Sequence, residues 1–254
     1  MPDSFNLIFD VLSERCVPAI TIERVGVRPD APRIIVLHGL YGRKEEYLEE
    51  LYLLAARGFR ATAIDLALHG DRVDSGAVRE KFEADYVGAL KEVIYETAAD
   101  VTALTDYWEI SDNSVGLLAV SAGGLVAHAV AVTENRIGAI AAIVSSPDWL
   151  TADPRLRPLP GSALETLLTG LSPVNRPESY VPKALLMLVG ELDDIVTPDG
   201  SILLFKRLLP LYTKRGIDER LQLKVFPGLG HVYTPEMRML SLNWLSKNLI
   251  RDGP

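Results

Sequence analysis
A strand-like run, Val115-Gly-Leu-Leu-Ala-Val120, stops at a serine, Ser121, and a small, apolar, helix-compatible segment follows at once. Small residues stand two places before the serine, at Ala119, and two places after it, at Gly123. A strand that becomes a helix within one residue strains the backbone and leaves no room for side chains at the flanking positions. The pattern therefore commits the chain to a sharp strand–Ser–helix turn. The Ser121 hydroxyl is pushed out of a sheet edge, with a helix N-terminus beneath it.

The rest of the chain alternates strand and helix after a β-rich opening. Residues 5–13 and 18–26 read as an antiparallel pair around a turn near Glu14 to Cys16. Arg33–Leu37 is a fully buried strand by its continuous apolar run. A helix is expected over 43–57, capped by Gly58, then a strand over 59–66 and one long charged helix over 77–108. Further strands are expected at 137–145, 184–189 and 221–226, with helices at 122–133, 201–211 and 235–249. Strands separated by helices imply right-handed crossovers. The expectation is a single α/β domain over residues 1–254, with a mostly parallel sheet of about eight strands and helices on both faces.

Residues 146–182 break this rhythm. They carry Pro147, Pro154, Pro158, Pro160, Pro173, Pro177 and Pro182, with Ala163, Leu164, Leu167, Leu168 and Leu171 at helical spacing. Ligand crevices in open α/β sheets lie beyond the carboxyl ends of the strands. The segment is read as a small lid or pocket wall, the alternative being a loop that only packs on the sheet.

A serine hydroxyl needs a base to take its proton, and a third group to orient that base. The chain has four histidines. His38 and His69 precede glycines at strand ends upstream of the serine, and His128 lies two turns into the following helix. His38 is expected to support its loop, His69 to form a turn with Gly70 and Asp71, and His128 to pack within its helix. His231, in Gly228-Leu-Gly-His231 after the last strand, is the expected base. The orienting acid should lie between them, and Glu191, Asp193 and Asp194 all follow the 184–189 strand. The glycines of His38-Gly39-Leu40-Tyr41-Gly42 allow close backbone approach. The N–H groups of Leu40 and Ala122 are therefore expected to form an oxyanion hole. Tyr41 and Trp149 are candidates to line an acyl or alcohol pocket, with plain packing the equal alternative.

Composition removes several other classes. A net charge of −8 argues against nucleic acid or anionic membrane as partner. Val115–Thr133 holds no charged residue, but Ser121, Gly123, Gly124 and His128 interrupt it, so it reads as a buried strand and helix rather than a membrane span. The histidines lack His-x-His or His-x-x-x-His spacing, so no metal site is expected. Cys16 is the single cysteine, which makes a cytoplasmic location the expectation. The opening Met1-Pro-Asp-Ser-Phe lacks the pattern of a signal peptide. Nothing in the sequence sets the oligomeric state.

The chain resembles the α/β-hydrolase superfamily from Ile34 to about Leu249. Within it, the chain is similar to small bacterial esterases of the dienelactone-hydrolase and prolyl-oligopeptidase-like branch. The carrying segments are Leu37-His-Gly-Leu-Tyr-Gly-Arg-Lys-Glu45, Ala56-Arg-Gly-Phe59, Asp65-Leu-Ala-Leu-His-Gly-Asp-Arg72 and Gly230-His-Val-Tyr-Thr-Pro-Glu-Met237. The resemblance implies that Leu40 supplies an oxyanion N–H, that Asp193 rather than Glu191 or Asp194 is the acid, and that His231 is the base. The order Ser121, Asp193, His231 is the one expected of this fold. Ala119 stands where the family pentapeptide usually has glycine, and Ser121 excludes the cysteine nucleophile of dienelactone hydrolases proper. The implied function is a serine carboxylesterase acting on small soluble acyl esters through an acyl-enzyme, without a cofactor. The alternatives are the same triad acting on a thioester, lactone, amide or carbon–carbon bond, and a non-catalytic binding protein that kept the fold.

Overall fold
The computed structural model describes residues 4–152 and 158–250. Pro154 and both extremes of the expected 1–254 domain lie outside the described residues. In chain order the elements are β1 (Phe5–Leu12), β2 (Val17–Arg24), β3 (Arg33–Leu37), α1 (Leu48–Ala56), β4 (Arg60–Ile64), α2 (Ser75–Ala84) and α3 (Tyr86–Tyr107). There follow β5 (Val115–Val120), α4 (Ala122–Thr133), β6 (Ile137–Ile143), α5 (Ala163–Leu171), β7 (Ala184–Gly190), α6 (Asp199–Thr213), β8 (Leu221–Phe226) and α7 (Pro235–Leu249).

The strands form one eight-stranded sheet in the order β1-β2-β4-β3-β5-β6-β7-β8. β3 to β8 run parallel, and the β1–β2 hairpin joins antiparallel to β4. The period of two along each strand divides the core between two faces. Ile35 and Leu37 of β3, with Leu117 and Ala119 of β5, pack in the layer that includes residues of α3, α4 and α6. Ile34, Val36, Leu118 and Val120 pack in the layer that includes α1 and α7. This is the α/β-hydrolase fold expected from the sequence.

The helix expected over 77–108 is two helices. Asp85 breaks it, with φ −149° and ψ 87°, and its carboxylate accepts the Gly88 N–H at 2.9 Å. An aspartate that caps a new helix competes with continuation of the old one. The expected 43–57 helix likewise opens as a short 3-10 turn over Lys44–Tyr47 before α1.

Register sets the functional edge. Leu37 lies beside both Ile64 and Ala119, Val120 beside Ile143, and Gly190 beside Phe226. The loops after β3, β4, β5, β6, β7 and β8 therefore emerge along one edge. β3 leads to β4 on one side while β5 lies on the other, so the chain reverses direction between β3 and β5. Crevices form at such switch points, and here the His38–Gly42 loop meets the turn at Ser121.

Candidate active site
Ser121 sits between β5 and α4 with φ 53° and ψ −116°. Such a backbone in a residue with a Cβ costs about 1–3 kcal/mol and persists only when neighbours over-determine it. Here they do. Ser121 N–H donates to Ile143 O at 2.9 Å, and Gly123 N–H to His38 O at 3.0 Å. A Cβ at position 123 would stand 2.4 Å from Leu37 O, so the close approach of the β3 loop requires glycine there. Although Ser121 is the N-cap residue of α4, its hydroxyl makes no capping bond. It lies 2.8 Å from His231 Nε2.

His231 Nδ1 is 2.8 Å from Asp193 Oδ2. A carboxylate only accepts, so Nδ1 carries the proton and Nε2 is left to accept from the Ser121 O–H. The other oxygen, Asp193 Oδ1, accepts the N–H groups of Ile195 (3.1 Å) and Val196 (2.8 Å), which locks the buried carboxylate in place. The two other acids considered are turned elsewhere: Glu191 accepts the Gly228 N–H at 2.9 Å, and Asp194 is exposed. The loops after β7 and β8 are bound together, with Leu192 N–H donating to Leu229 O at 2.8 Å.

The β3 loop is held from beneath by His38. Its Nδ1 lies 2.7 Å from Gly39 O, and its Nε2 accepts the Leu66 N–H at 3.0 Å, so the ring is neutral with the proton on Nδ1. Burial pushes its pKa down to about 4, against the opposing pull of the Gly39 carbonyl. His128, buried in α4, shares a 3.0 Å hydrogen bond with the Tyr180 hydroxyl, and burial pushes it down to about 3. The loop is also tied to the β4 end: Lys44 Nζ donates to Asp65 Oδ2 at 2.7 Å and to Asp71, and Lys44 N–H donates to Asp65 Oδ1 at 3.0 Å.

The depressed histidines make stability depend on pH. An unfolded histidine titrates near about 6.5, whereas His38 and His128 resist protonation in the fold. As pH falls below that value the unfolded chain takes up protons that the native chain refuses, so stability drops until the native values are reached. The urea midpoint is expected to fall steadily between about pH 6.5 and pH 4. His128→Leu should make that fall shallower, and identical slopes in both proteins would refute the assignment.

Ser121 and His231 open into a cavity of about 440 Å3 lined by Gly39, Leu40, Tyr41, Tyr86, Leu90, Val120, Ala122, Leu125, Val144, Ile195, Val196 and Tyr233. Leu40 and Ala122 thus both border it, and the N–H of Ala122, the first residue of α4, has no intrahelical acceptor. Tyr41 is also on the wall, with φ 63°.

Trp149 is not on this wall. Its buried ring meets Tyr95 edge-on at 5.9 Å and lines a separate narrow cleft between α3 and α5, with Val87, Leu90, Ile94, Leu167, Leu168 and Leu171. The reason is local: Trp149 N–H donates to Ser172 Oγ at 2.9 Å, which draws residue 149 toward the segment after α5. No described residue of 158–182 lines the Ser121 cavity either. That segment packs on α3, α4 and α6, through α5, through Tyr180, and through the Tyr212 hydroxyl donating to Tyr180 O at 3.1 Å. Tyr86, Leu90, Val144, Ile195, Val196 and Tyr233 are wall residues that sequence reasoning did not single out.

The family model described as "Alpha/beta hydrolase family" matches residues 34–239. The chain belongs to the alpha/beta hydrolase family. The crystal structure of TT1662 from Thermus thermophilus resembles this hydrolase with a TM-score of 0.69 at 24% identity, covering 97% of this chain and 100% of that one. A protein of Klebsiella pneumoniae subsp. pneumoniae MGH 78578, provisionally named a dienelactone hydrolase, gives a TM-score of 0.66 at 17% identity, over 97% and 100% of the two chains. YitV of Bacillus subtilis (strain 168), provisionally named an esterase, is 28% identical over 123 residues. That match spans 47% of this hydrolase and 46% of YitV, less than half the length of either. Among the described residues, no helix is long and apolar enough to cross a membrane.

Proposed function
We propose that the protein is a serine carboxylesterase that hydrolyses small soluble acyl esters through an acyl-enzyme. The observation that carries this reading is the unbroken line from Ser121 Oγ to His231 to Asp193, two contacts of 2.8 Å each, opening into a bounded cavity. In the first half-reaction Ser121 Oγ attacks the ester carbonyl while His231 Nε2 takes its proton. The carbonyl oxygen gains negative charge and is met by the N–H groups of Leu40 and Ala122. One such donor is worth about 100- to 1,000-fold in turnover. His231 then gives its proton to the departing alcohol. Water attacks the acyl-enzyme by the same route, and Ser121 regains its proton. Asp193 holds Nδ1 in the required tautomer and stabilises the imidazolium. No metal or cofactor enters these steps. The single cysteine, Cys16, suits a reducing compartment, and we place the enzyme in the cytoplasm.

The cavity supports a small substrate. At about 440 Å3 it stands near the lower end of small-molecule pockets. Its walls are largely apolar side chains, suited to a short acyl or alkyl group. The provisional naming of YitV as an esterase points the same way.

A chain-length series of p-nitrophenyl esters tests the reading. Turnover is expected for acetate and butyrate, with kcat/KM falling by about tenfold or more at decanoate as extra methylenes outgrow a cavity of about 440 Å3. A fluorophosphonate probe should label Ser121. A wild-type protein that neither turns over short esters nor takes the label is not a serine esterase. Faster turnover of a thioester or lactone with the same acyl group would move the reading to that bond.

A further inference from the structure
β1 is an edge strand that lacks the usual protection. Its eight residues pair with β2 without a bulge. Natural edges carry lysine, proline or a bulge to prevent pairing with another chain. Phe5-Asn-Leu-Ile-Phe-Asp-Val-Leu12 has none of these, and Asp10 is its one charge. The opposite edge differs: β8 carries Lys224, paired with Glu236.

The phase of the edge follows from one bond. Val25 N–H donates to Ser4 O at 2.8 Å, so even-numbered residues of β1 turn their backbone groups toward β2. Phe5, Leu7, Phe9 and Val11 therefore turn their N–H and C=O groups outward. Their side chains share the α1 face, as the Phe5 ring shows by lying 4.8 Å from Tyr52 of α1. There Leu7, Phe9 and Val11 are 53%, 64% and 60% exposed, and Tyr52 49%. Ile8, on the other face, is 40% exposed.

We propose that a second copy of this chain covers this edge, pairing β1 with β1 antiparallel about a two-fold axis at Ile8. In that register Phe5 faces the partner's Val11, Leu7 faces the partner's Phe9, and Asn6 faces the partner's Asp10. Each Phe5–Val11 and Leu7–Phe9 pair is hydrogen-bonded, so every outward backbone group from 5 to 11 is satisfied. Each also sets apolar side chain against apolar side chain, the unit of sheet stabilisation. Registers shifted by two residues leave Phe5 or Val11 without a partner from the strand. A register centred on Asp10 would oppose two carboxylates. The edge is thus self-complementary in hydrogen bonding and hydrophobicity, and this register keeps its one charge away from the partner's. Because the interface is isologous, one copy saturates it and assembly stops at the dimer.

Sedimentation velocity at about 50 μM, far above the Kd of an ordinary stable dimer, should show the wild-type chain as a dimer. Phe9→Lys, which alters a side chain already exposed, should convert it to a monomer with unchanged circular dichroism. A second readout does not depend on that variant's stability. Ile8 faces itself in a non-hydrogen-bonded pair, where Cα atoms stand about 4.5 Å apart, within disulfide range. Ile8→Cys in a Cys16→Ser background should therefore form a reducible covalent dimer under mild oxidation, and adding Phe9→Lys should abolish it. A monomeric wild type, an assembly larger than a dimer, a dimer that survives Phe9→Lys, or a dimer that Ile8→Cys does not cross-link would each overturn the proposal.

Discussion

Ser121→Ala is expected to lower turnover of p-nitrophenyl acetate by about 10,000- to 1,000,000-fold, the loss typical when a nucleophile of this kind is removed. Alanine keeps the Cβ, so the elbow keeps its shape and its strain. The hydroxyl's hydrogen bond is to His231, and it caps no helix. Its loss should therefore shift the melting temperature by only a few degrees, about what one lost hydrogen bond warrants. Some rate above the uncatalysed reaction should survive, because the Leu40 and Ala122 amides remain to meet a developing oxyanion. Phosphonate labelling should vanish altogether. Retention of more than about 1% of wild-type turnover would be incompatible with a covalent step at this residue. A companion variant, Ser121→Gly, separates strain from chemistry. It should be equally inactive but no less stable, since glycine accepts φ 53° without penalty.

How much of this was legible in the sequence depends on what each residue answers to. Ser121, Asp193 and His231 each follow a strand of the parallel sheet closely, at the end where the loops converge. Such residues are placed by chain order and strand direction, which a one-dimensional pattern records. The small residues are equally legible: Gly123 must admit Leu37 O, and Gly190 must admit Leu229 O at what would be 2.5 Å from a Cβ. The cavity wall answers to something else. Tyr86 and Leu90 stand one turn apart on α3 and look like any buried pair until that helix is laid across the crevice. Val144, φ 43°, lines the cavity because the chain turns sharply after β6, a conformation no β-branched residue advertises. Trp149 is the opposite case. Pocket lining and plain packing are equal readings of its sequence position, and its backbone bond to Ser172 takes the residue to the α3–α5 cleft. With none of the described residues of 158–182 on it, the Ser121 cavity is walled instead by α3, α4 and the loops after β3, β6, β7 and β8.

Asp193→Asn should lower turnover by about 10,000-fold while Asp194→Asn stays within a few-fold of wild type. The asymmetry follows from what each oxygen does. Asp193 Oδ1 accepts two backbone N–H groups, from Ile195 and Val196. An asparagine would keep its oxygen there and present its amide N–H2 to His231. Two donors would then meet at Nδ1, so the imidazole must move its proton to Nε2. In that tautomer it donates toward Ser121 and can no longer accept the serine proton. The fold survives, because the loop's backbone bonds still have an acceptor, and the loss falls on kcat far more than on KM. Asp194 is exposed, and Ile195 and Val196 bond to Asp193 rather than to it. Steady-state kinetics on both variants, read beside their melting temperatures, decides the matter. Equal losses, or a larger loss for Asp194→Asn, would assign the orienting role elsewhere. A low residual rate in Asp193→Asn that rises with pH would support the tautomer argument. Hydroxide can then take the serine proton that the misprotonated imidazole cannot.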